Sequence, residues 1–186
     1  MKVDLHIHTR YSPDAVSNPS DIVQRCLETG LHCIAITDHN TIQGALEVKR
    51  LAPFPVILGE EIKSSGGDII GLFLKKEIPE GLSPIETVQA IKYQGGLACA
   101  PHPLDRFRGS SLGRKTLDEL LPDLDIIEGF NAHTIFGWYD TIALNIAKRS
   151  NIAVTAVSDS HSSLEIGGTY LETEDFEVTP DRLKFA

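Results

Sequence analysis

Two histidines separated by one residue, His6 and His8, open the chain. Positions i and i+2 of an extended strand share a face, so both imidazoles point the same way. Imidazoles that converge on one point are costly unless a metal ion or an anion joins them. A carboxylate and an imidazole with the same spacing return near the other end, in Ser158-Asp159-Ser160-His161. Between these pairs come Thr37-Asp38-His39-Asn40, Gly59-Glu60-Glu61, Ala100-Pro101-His102-Pro103 and Glu128. This donor set mixes neutral nitrogen with anionic oxygen and has no thiolate. It suits Mn²⁺, Fe²⁺ or Zn²⁺ at a catalytic site better than a cysteine-rich structural zinc. Two or three divalent ions held close together can bridge a water, lower its pKa and clamp a phosphoryl oxygen.

Each group has a plainer reading on its own. Asp38 could cap a helix, Glu128 could be a rim residue, and His102 between two prolines could simply bond a loop. The joint placement favours metal, because these groups recur at the ends of successive predicted strands. Residues 3–8 alternate strictly and read as a first strand, with Val3, Leu5 and Ile7 on one face and Asp4, His6 and His8 on the other. Asn18-Pro19 is an N-cap followed by Pro at the first helical position, and Gly30 closes that helix. Residues 33–37 read as a second strand, 40–50 as a second helix, and 55–58 and 68–74 as two further strands. Ser83-Pro84-Ile85-Glu86 is a capping box, and the helix it opens ends at Gly95-Gly96. Strands follow at 97–100 and 125–127 with a short helix over 116–121 between them. A helix over 140–150, a strand over 152–157 and a short strand over 169–171 complete the pattern.

Such alternation is the signature of an α/β fold with parallel strands, whose active sites lie at the strand C-termini. It does not separate an open doubly wound sheet from a closed barrel. Five of the seven histidines (His6, His8, His39, His102 and His161) sit at strand exits, and His32 and His133 stand apart.

The 186 residues fit one domain, 1–186, with a sizeable core. No stretch is apolar for the roughly 18 residues that a membrane helix needs, and the N-terminus lacks the pattern of a signal peptide. Three cysteines without a CxxC pair suit a reducing compartment, so a cytoplasmic location and no membrane partner are expected. A net charge of −9 argues against a general nucleic-acid binder, while clustered acids around metal ions leave room for a phosphorylated ligand.

The ordered set His6-Ile7-His8-Thr9, Tyr11-Ser12-Pro13-Asp14-Ala15, Thr37-Asp38-His39-Asn40, Gly59-Glu60-Glu61, Pro101-His102-Pro103, Glu128 and Ser158-Asp159-Ser160-His161 resembles the PHP superfamily of polymerases and histidinol phosphatases. The resemblance runs from residue 3 to about residue 170. It implies an α/β fold, a distorted (β/α)7 TIM-like barrel with a metal cluster at the C-terminal ends of its strands. It further implies that His6 and His8 bind one metal, with Glu61 bridging to its neighbour, and that Asp14 and His39 bind another. His102 would join the cluster, and Asp159 and His161 would complete it, with Asp159 beside the nucleophilic water. Asp38 resembles a group that orients an adjacent ligand.

Two departures bear on the transfer. Many relatives carry a further histidine where this chain reads Gly66-Gly67-Asp68, so Asp68 either ligates as a carboxylate or only caps its strand. Glu60 and Glu61 are adjacent and must face opposite sides, with Glu61 expected inward. Arg106 and Arg108 follow His102 on a loop like that of short PHP phosphoesterases. A guanidinium there can take a phosphate oxygen bidentately, or the pair can be a solvated basic loop. Arg10 is a further candidate, and Asn131 is expected to line the pocket. The expected reaction is hydrolysis of a phosphate ester by a metal-bound hydroxide, acting on a small phosphorylated metabolite or nucleotide. The acidic balance and few aromatics argue against a long nucleic-acid channel. The rivals are amidohydrolase-like C–N hydrolysis, which usually carries a metal-bridging lysine, and a non-catalytic regulatory module. The sequence does not set the oligomeric state.

Overall fold

A computed structural model describes residues 1–184; the last two residues of the single-domain assignment lie outside it. Eight strands follow one another in the order β7-β6-β5-β4-β3-β2-β1-β8. They are β1 (Lys2–Ile7), β2 (Cys33–Ile36), β3 (Val56–Ser64), β4 (Gly67–Leu72), β5 (Leu97–Ala100), β6 (Ile126–Asn131), β7 (Ala153–Val157) and β8 (Leu171–Glu172). The helices are α1 (Pro19–Thr29), α2 (Gln43–Leu51), α3 (Pro84–Tyr93), α4 (Gly113–Leu120), α5 (Trp138–Ser150) and α6 (Pro180–Leu183). The sheet curls until β1 meets β7, joined by a parallel bridge between Ile7 and Ser160 and by the His8 amide donating to the Ser160 carbonyl at 2.9 Å. β8 adds antiparallel to β1 at this seam.

The helix signals act locally as expected. Pro19 starts α1, and Gly30 ends it in the left-handed region at φ 71°. The Ser83–Glu86 capping box forms at the start of α3. Asn40 takes φ 54°, so α2 begins at Gln43 rather than at residue 40.

The expectation of parallel strands fails at β4, which pairs antiparallel with both β3 and β5. Ser64 pairs with Gly67, so only Ser65 and Gly66 connect the strands, and a parallel crossover needs a dozen residues or more. Gly67, at φ 123°, permits this turn, and a side chain there would also collide with the backbone of Ser111 and Leu112. The Asp68 amide donates to the Ser110 carbonyl at 2.7 Å, which pins the loop after β5 against the hairpin. Because β4 runs backwards, its first residues lie at the same barrel end as the last residues of the parallel strands.

Three apolar clusters make the core. One draws on all seven barrel strands and on none of α1–α5, which identifies it as the barrel interior: Val3 and Leu5, Cys33 and Ala35, Ile57, Ile70 and Leu72, Leu97 and Cys99, Ile126 and Val157. Leu183 of α6 and the preceding Phe176 and Val178 pack against it. The other two lie between the strands and the helices, one under α1 and α2 and one under α3–α5. Strict alternation along β1 does not hold. A register irregularity between Asp4 and Ile7 leaves Val3 and Leu5 in the interior while Ile7 packs with Ile22, Val23 and Cys26 of α1. The irregularity lets His6 follow Leu5 inward, and bulges re-aim side chains in this way near active sites.

Candidate metal centre

Every group singled out by spacing projects from one end of the barrel. His6 is the last residue but one of β1 and His8 follows the strand, His39 follows β2, Glu61 lies within β3, and Asp68 stands second in β4. His102 follows β5, Glu128 and Asn131 belong to β6, and Asp159 and His161 follow β7. His102 (φ 26°) and Asp159 (φ 54°) have left-handed backbones. That conformation is strained for residues other than glycine and collects at functional sites.

Four side-chain atoms converge beneath the cavity floor. His6 Nε2 lies 2.9 Å from His8 Nε2, 3.2 Å from Glu61 Oε2 and 3.3 Å from Asp159 Oδ1; His8 Nε2 lies 3.2 and 3.4 Å from the same two oxygens. Ligands arranged tetrahedrally about 2.0–2.1 Å from one ion would stand about 3.3–3.5 Å apart. All four residues are buried.

Hydrogen bonds assign the tautomers. Glu128 Oε1 lies 2.7 Å from His6 Nδ1 and accepts its proton. Ser12 Oγ donates to Asp38 Oδ1 at 2.9 Å, so at 3.0 Å from His8 Nδ1 it accepts the His8 proton. Both Nε2 lone pairs therefore face each other, an arrangement that requires a proton or a cation between them. Asp159 Oδ1 is buried without a hydrogen-bond donor, and so is His102 Nδ1. Donor chemistry, spacing and the orphaned oxygen all fit a divalent ion.

A second group abuts the first. Asp14 Oδ2 lies 3.3 Å from His39 Nε2 and 3.5 Å from His161 Nε2, and His39 Nδ1 lies 3.4 Å from Glu61 Oε2. His161 donates through Nδ1 to the Asp159 carbonyl at 2.8 Å, which frees Nε2 for a ligand. His8, His39 and His161 together satisfy the spacing of a metal triad. On the other side Glu61 Oε1 lies 3.1 Å from His102 Nε2. Glu61 thus stands between the two groups and His102.

The charges are mutually perturbed. Burial disfavours ionised His6, but Asp159, Glu128 and Glu61 outweigh it and hold its pKa well above the ordinary value. Burial likewise opposes charge on His8, and Asp159 and Glu61 still raise it to about 9. Burial would raise Asp159 and Glu61, yet the surrounding histidines, with Arg108 beside Asp159, hold both well below the usual carboxylate range. Asp68 is raised, first by burial and then by Glu61. An interior with surplus carboxylate draws protons in the absence of metal and cations in their presence.

The groups around the ligands sort themselves by what they touch. The carboxylate of Asp38 lies behind the cluster. It accepts from Thr9 N at 2.6 Å, Thr9 Oγ1 at 2.8 Å and Ser12 Oγ, and through Ser12 it orients His8. A Cβ at Gly44 would run into that carboxylate, so the glycine lets α2 approach it. Glu60 faces away from Glu61 and accepts from Ile78 N at 2.9 Å.

The two arginines part company. Arg108 Nη1 lies 2.5 Å from Asp159 Oδ2, and its Nη2 donates to Asn131 Oδ1 at 3.4 Å. Asn131 donates to Glu128 Oε2 at 2.8 Å and to Asp159 Oδ2 at 3.1 Å. Arg106 is exposed and lies outside the cavity, beside Leu104, Gly113 and Tyr139. Nothing there holds it toward the metal ligands. Arg10 turns to Asn18 and Glu47.

The cavity above the cluster has a volume of about 400 Å³, and Asp68, Arg108, Ser110, His133 and Ile135 line it with the ligands already named. His133, which stands apart from the predicted strand exits, lies two residues beyond the observed end of β6. Its ring nevertheless stands 5.6 Å from that of His161, and its Nε2 is 3.5 Å from Glu165 Oε1. The only sequence signal was its place in the loop after a ligand-bearing strand. His32 accepts from Lys2 N at 3.0 Å, at the start of β1 and away from the cluster.

Fold and donor set together define an α/β barrel with a cluster able to hold metal at its strand ends. The model of the PHP domain matches residues 4–75. An uncharacterized protein of Methanocaldococcus jannaschii is 46% identical over 158 residues, covering 78% of this chain and 90% of the relative. The chain belongs to the PHP family. A two-domain Bacteroides vulgatus protein containing a predicted PHP-like metal-dependent phosphoesterase superposes with a TM-score of 0.75 at 21% identity, over 89% of this chain and 53% of that one. This chain thus spans about half of that protein. An amidohydrolase from Chromobacterium violaceum, with bound sulfate and no metal, superposes with a TM-score of 0.72 at 17% identity over 96% and 93% of the two chains. At these identities the likeness is one of fold.

Proposed function

We propose that this chain is a metal-dependent phosphoesterase that hydrolyses a small phosphorylated substrate, using two or three divalent ions of the Mn²⁺, Fe²⁺ or Zn²⁺ type. One observation carries the reading: the His6 and His8 Nε2 lone pairs meet Glu61 and Asp159 oxygens within 3.4 Å, and Arg108 stands on the other oxygen of Asp159. His6, His8, Glu61 and Asp159 would hold one ion, Asp14, His39 and His161 a second, and His102 with Asp68 a third beside Glu61. Bound ions supply a water of lowered pKa and polarise phosphoryl oxygens.

The chain's own groups do the remaining work. Arg108 offers a guanidinium to a non-bridging phosphate oxygen. Asn131 bonds to both Arg108 and Asp159. Asp159 would stand beside the attacking water, and Glu128 and Ser12 fix the tautomers of His6 and His8.

C–N hydrolysis on a similar barrel commonly uses a lysine between two metals, and among the described residues no lysine lines this cavity. Phosphoryl chemistry fits the guanidinium better. Among the described residues no helix is long and apolar enough to cross a membrane, and three buried free cysteines favour a cytoplasmic setting. The test is release of phosphate from mono- and diesters by the Mn²⁺-loaded protein beside its His8→Ala variant. Metal-dependent turnover lost in the variant is expected; equal activity in both would overturn the assignment.

A further inference from the structure

The barrel closes at its metal end and not at its base. Near the metal ligands β1 meets β7 through Ile7 and Ser160. β2 holds one edge of β1, and lower down the other edge is taken by β8, whose Leu171 pairs with Val3. β7 and β8 are therefore the two ends of the sheet order, and β8 acts as a wedge between β1 and β7.

The wedge leaves a cavity of about 240 Å³ at the base of the seam. Leu5, Ile126 and Ala153 line it from the barrel strands, Leu171 from β8 and Leu183 from α6. One buried polar side chain joins them. Thr155 lies between Ala153 and Val157, which both pack with the barrel interior, so its side chain points inward as theirs do. Thr155 is 2% exposed, and its hydroxyl has no hydrogen-bond partner among the described residues. Buried polar atoms are nearly always bonded, because an unpaired one forfeits the bond it made to water. Valine has the same shape and would fill this position without that cost. The cation at the rim is already paired: Lys184 Nζ donates to Asp125 Oδ1 at 3.0 Å, and Lys92 pairs with the other oxygen of that carboxylate. The Thr155 hydroxyl is thus the polar group left to meet a ligand. An apolar cavity of about 150 Å³ takes up benzene, so this one has room for a single ring with a polar substituent.

We infer that the base of the β7–β8 seam is a binding site for a small, uncharged, mostly apolar molecule of one-ring size. Leu5, Ile126, Leu171 and Leu183 enclose its apolar part, and Thr155 Oγ1 bonds its polar group. The site is separate from the metal centre and does not depend on the phosphoesterase reading.

Phenol and toluene, matched in size, serve as probes of the full chain, followed through the ¹³C-labelled methyl groups of its Leu and Ile residues. Phenol should shift the signals of Leu5, Ile126, Leu171 and Leu183 saturably and leave Ile135, in the metal cavity, unmoved. Thr155→Val keeps the shape and removes the hydroxyl. It should weaken phenol binding about five- to tenfold, the scale of one neutral hydrogen bond, and leave toluene unchanged. Thr155→Ser, which keeps the hydroxyl, should retain phenol binding. Ala153→Leu, which fills the cavity, should abolish the shifts from both probes. Three results overturn the inference: no saturable shift at the four methyl-bearing residues, shifts centred on Ile135, or binding that survives Ala153→Leu. Equal weakening of phenol and toluene by Thr155→Val, with unchanged circular dichroism, removes the hydroxyl from the site and overturns it as well.

Discussion

The Nδ1 of His6 lies 2.7 Å from Glu128 Oε1, and this contact fixes which nitrogen of His6 faces the metal-ligand cluster. Glu128 also accepts from the His102 amide at 2.7 Å and from Asn131 at 2.8 Å, so one buried carboxylate sets three site residues. Glu128→Gln can donate where the wild type accepts, which favours the wrong His6 tautomer. Metal affinity should fall by about 10–100-fold, as for other groups that orient metal ligands. Competition with a chelator measures it, and unchanged affinity would remove Glu128 from this role.

The two arginines of the loop after β5 should behave differently. Arg108 touches Asp159 and Asn131, whereas Arg106 lies outside the cavity. Arg108→Ala should lower kcat/KM about 10–100-fold, the range of one charge-assisted contact to a phosphoryl group. Arg106→Ala should stay within about twofold. Metal content by mass spectrometry should be the same in both, and a reversed order of the two effects would refute the assignment.

Metal loading should expel protons. His8 titrates near 9 without metal, raised against burial by Asp159 and Glu61, so it carries a proton at neutral pH. Its Nε2 must give up that proton to bind an ion. Calorimetry in buffers of different ionisation enthalpy should detect at least about one proton released at pH 7. Metal affinity should rise with pH up to about 9; a pH-independent affinity would contradict the lone-pair geometry.

Glu60 should tilt stability the other way. Burial lifts its pKa from 4.5 to about 7. The folded chain therefore keeps a proton that the unfolded chain has lost, and stability falls as pH rises from about 4.5 to 7. Glu60→Gln removes the ionisation while its amide oxygen can still accept from Ile78 N. Denaturant melts should show a flatter pH profile and a gain of about 2 kcal/mol over the wild type at pH 8. An unchanged profile would place the ionised carboxylate in a more hydrated setting than its burial indicates.

Much of the architecture was legible because local signals are physical. Pro19, Gly30 and the Ser83–Glu86 box mark helix ends through backbone geometry that short segments decide alone. The direction of β4 was not legible from apolar periodicity, which reads the same for either polarity. The two-residue connection at Ser65-Gly66 decided it. The alternation of β1 failed for a related reason, since a register irregularity is a property of a strand pair and not of one strand.

By itself the sequence determined which side chains could bind metal, because residue type and spacing to strand ends fix the donor chemistry and the barrel end. Only the tertiary structure decided what each donor faces. Arg106 and Arg108 are two residues apart, yet only Arg108 reaches Asp159 and Asn131 while Arg106 lies outside the cavity. His133 and Glu128 joined the site through contacts more than a hundred residues away in one case and across the barrel mouth in the other. Hydrogen bonds and charge interactions act over a few ångströms of space whatever the distance along the chain, so their partners exist only once the barrel has closed.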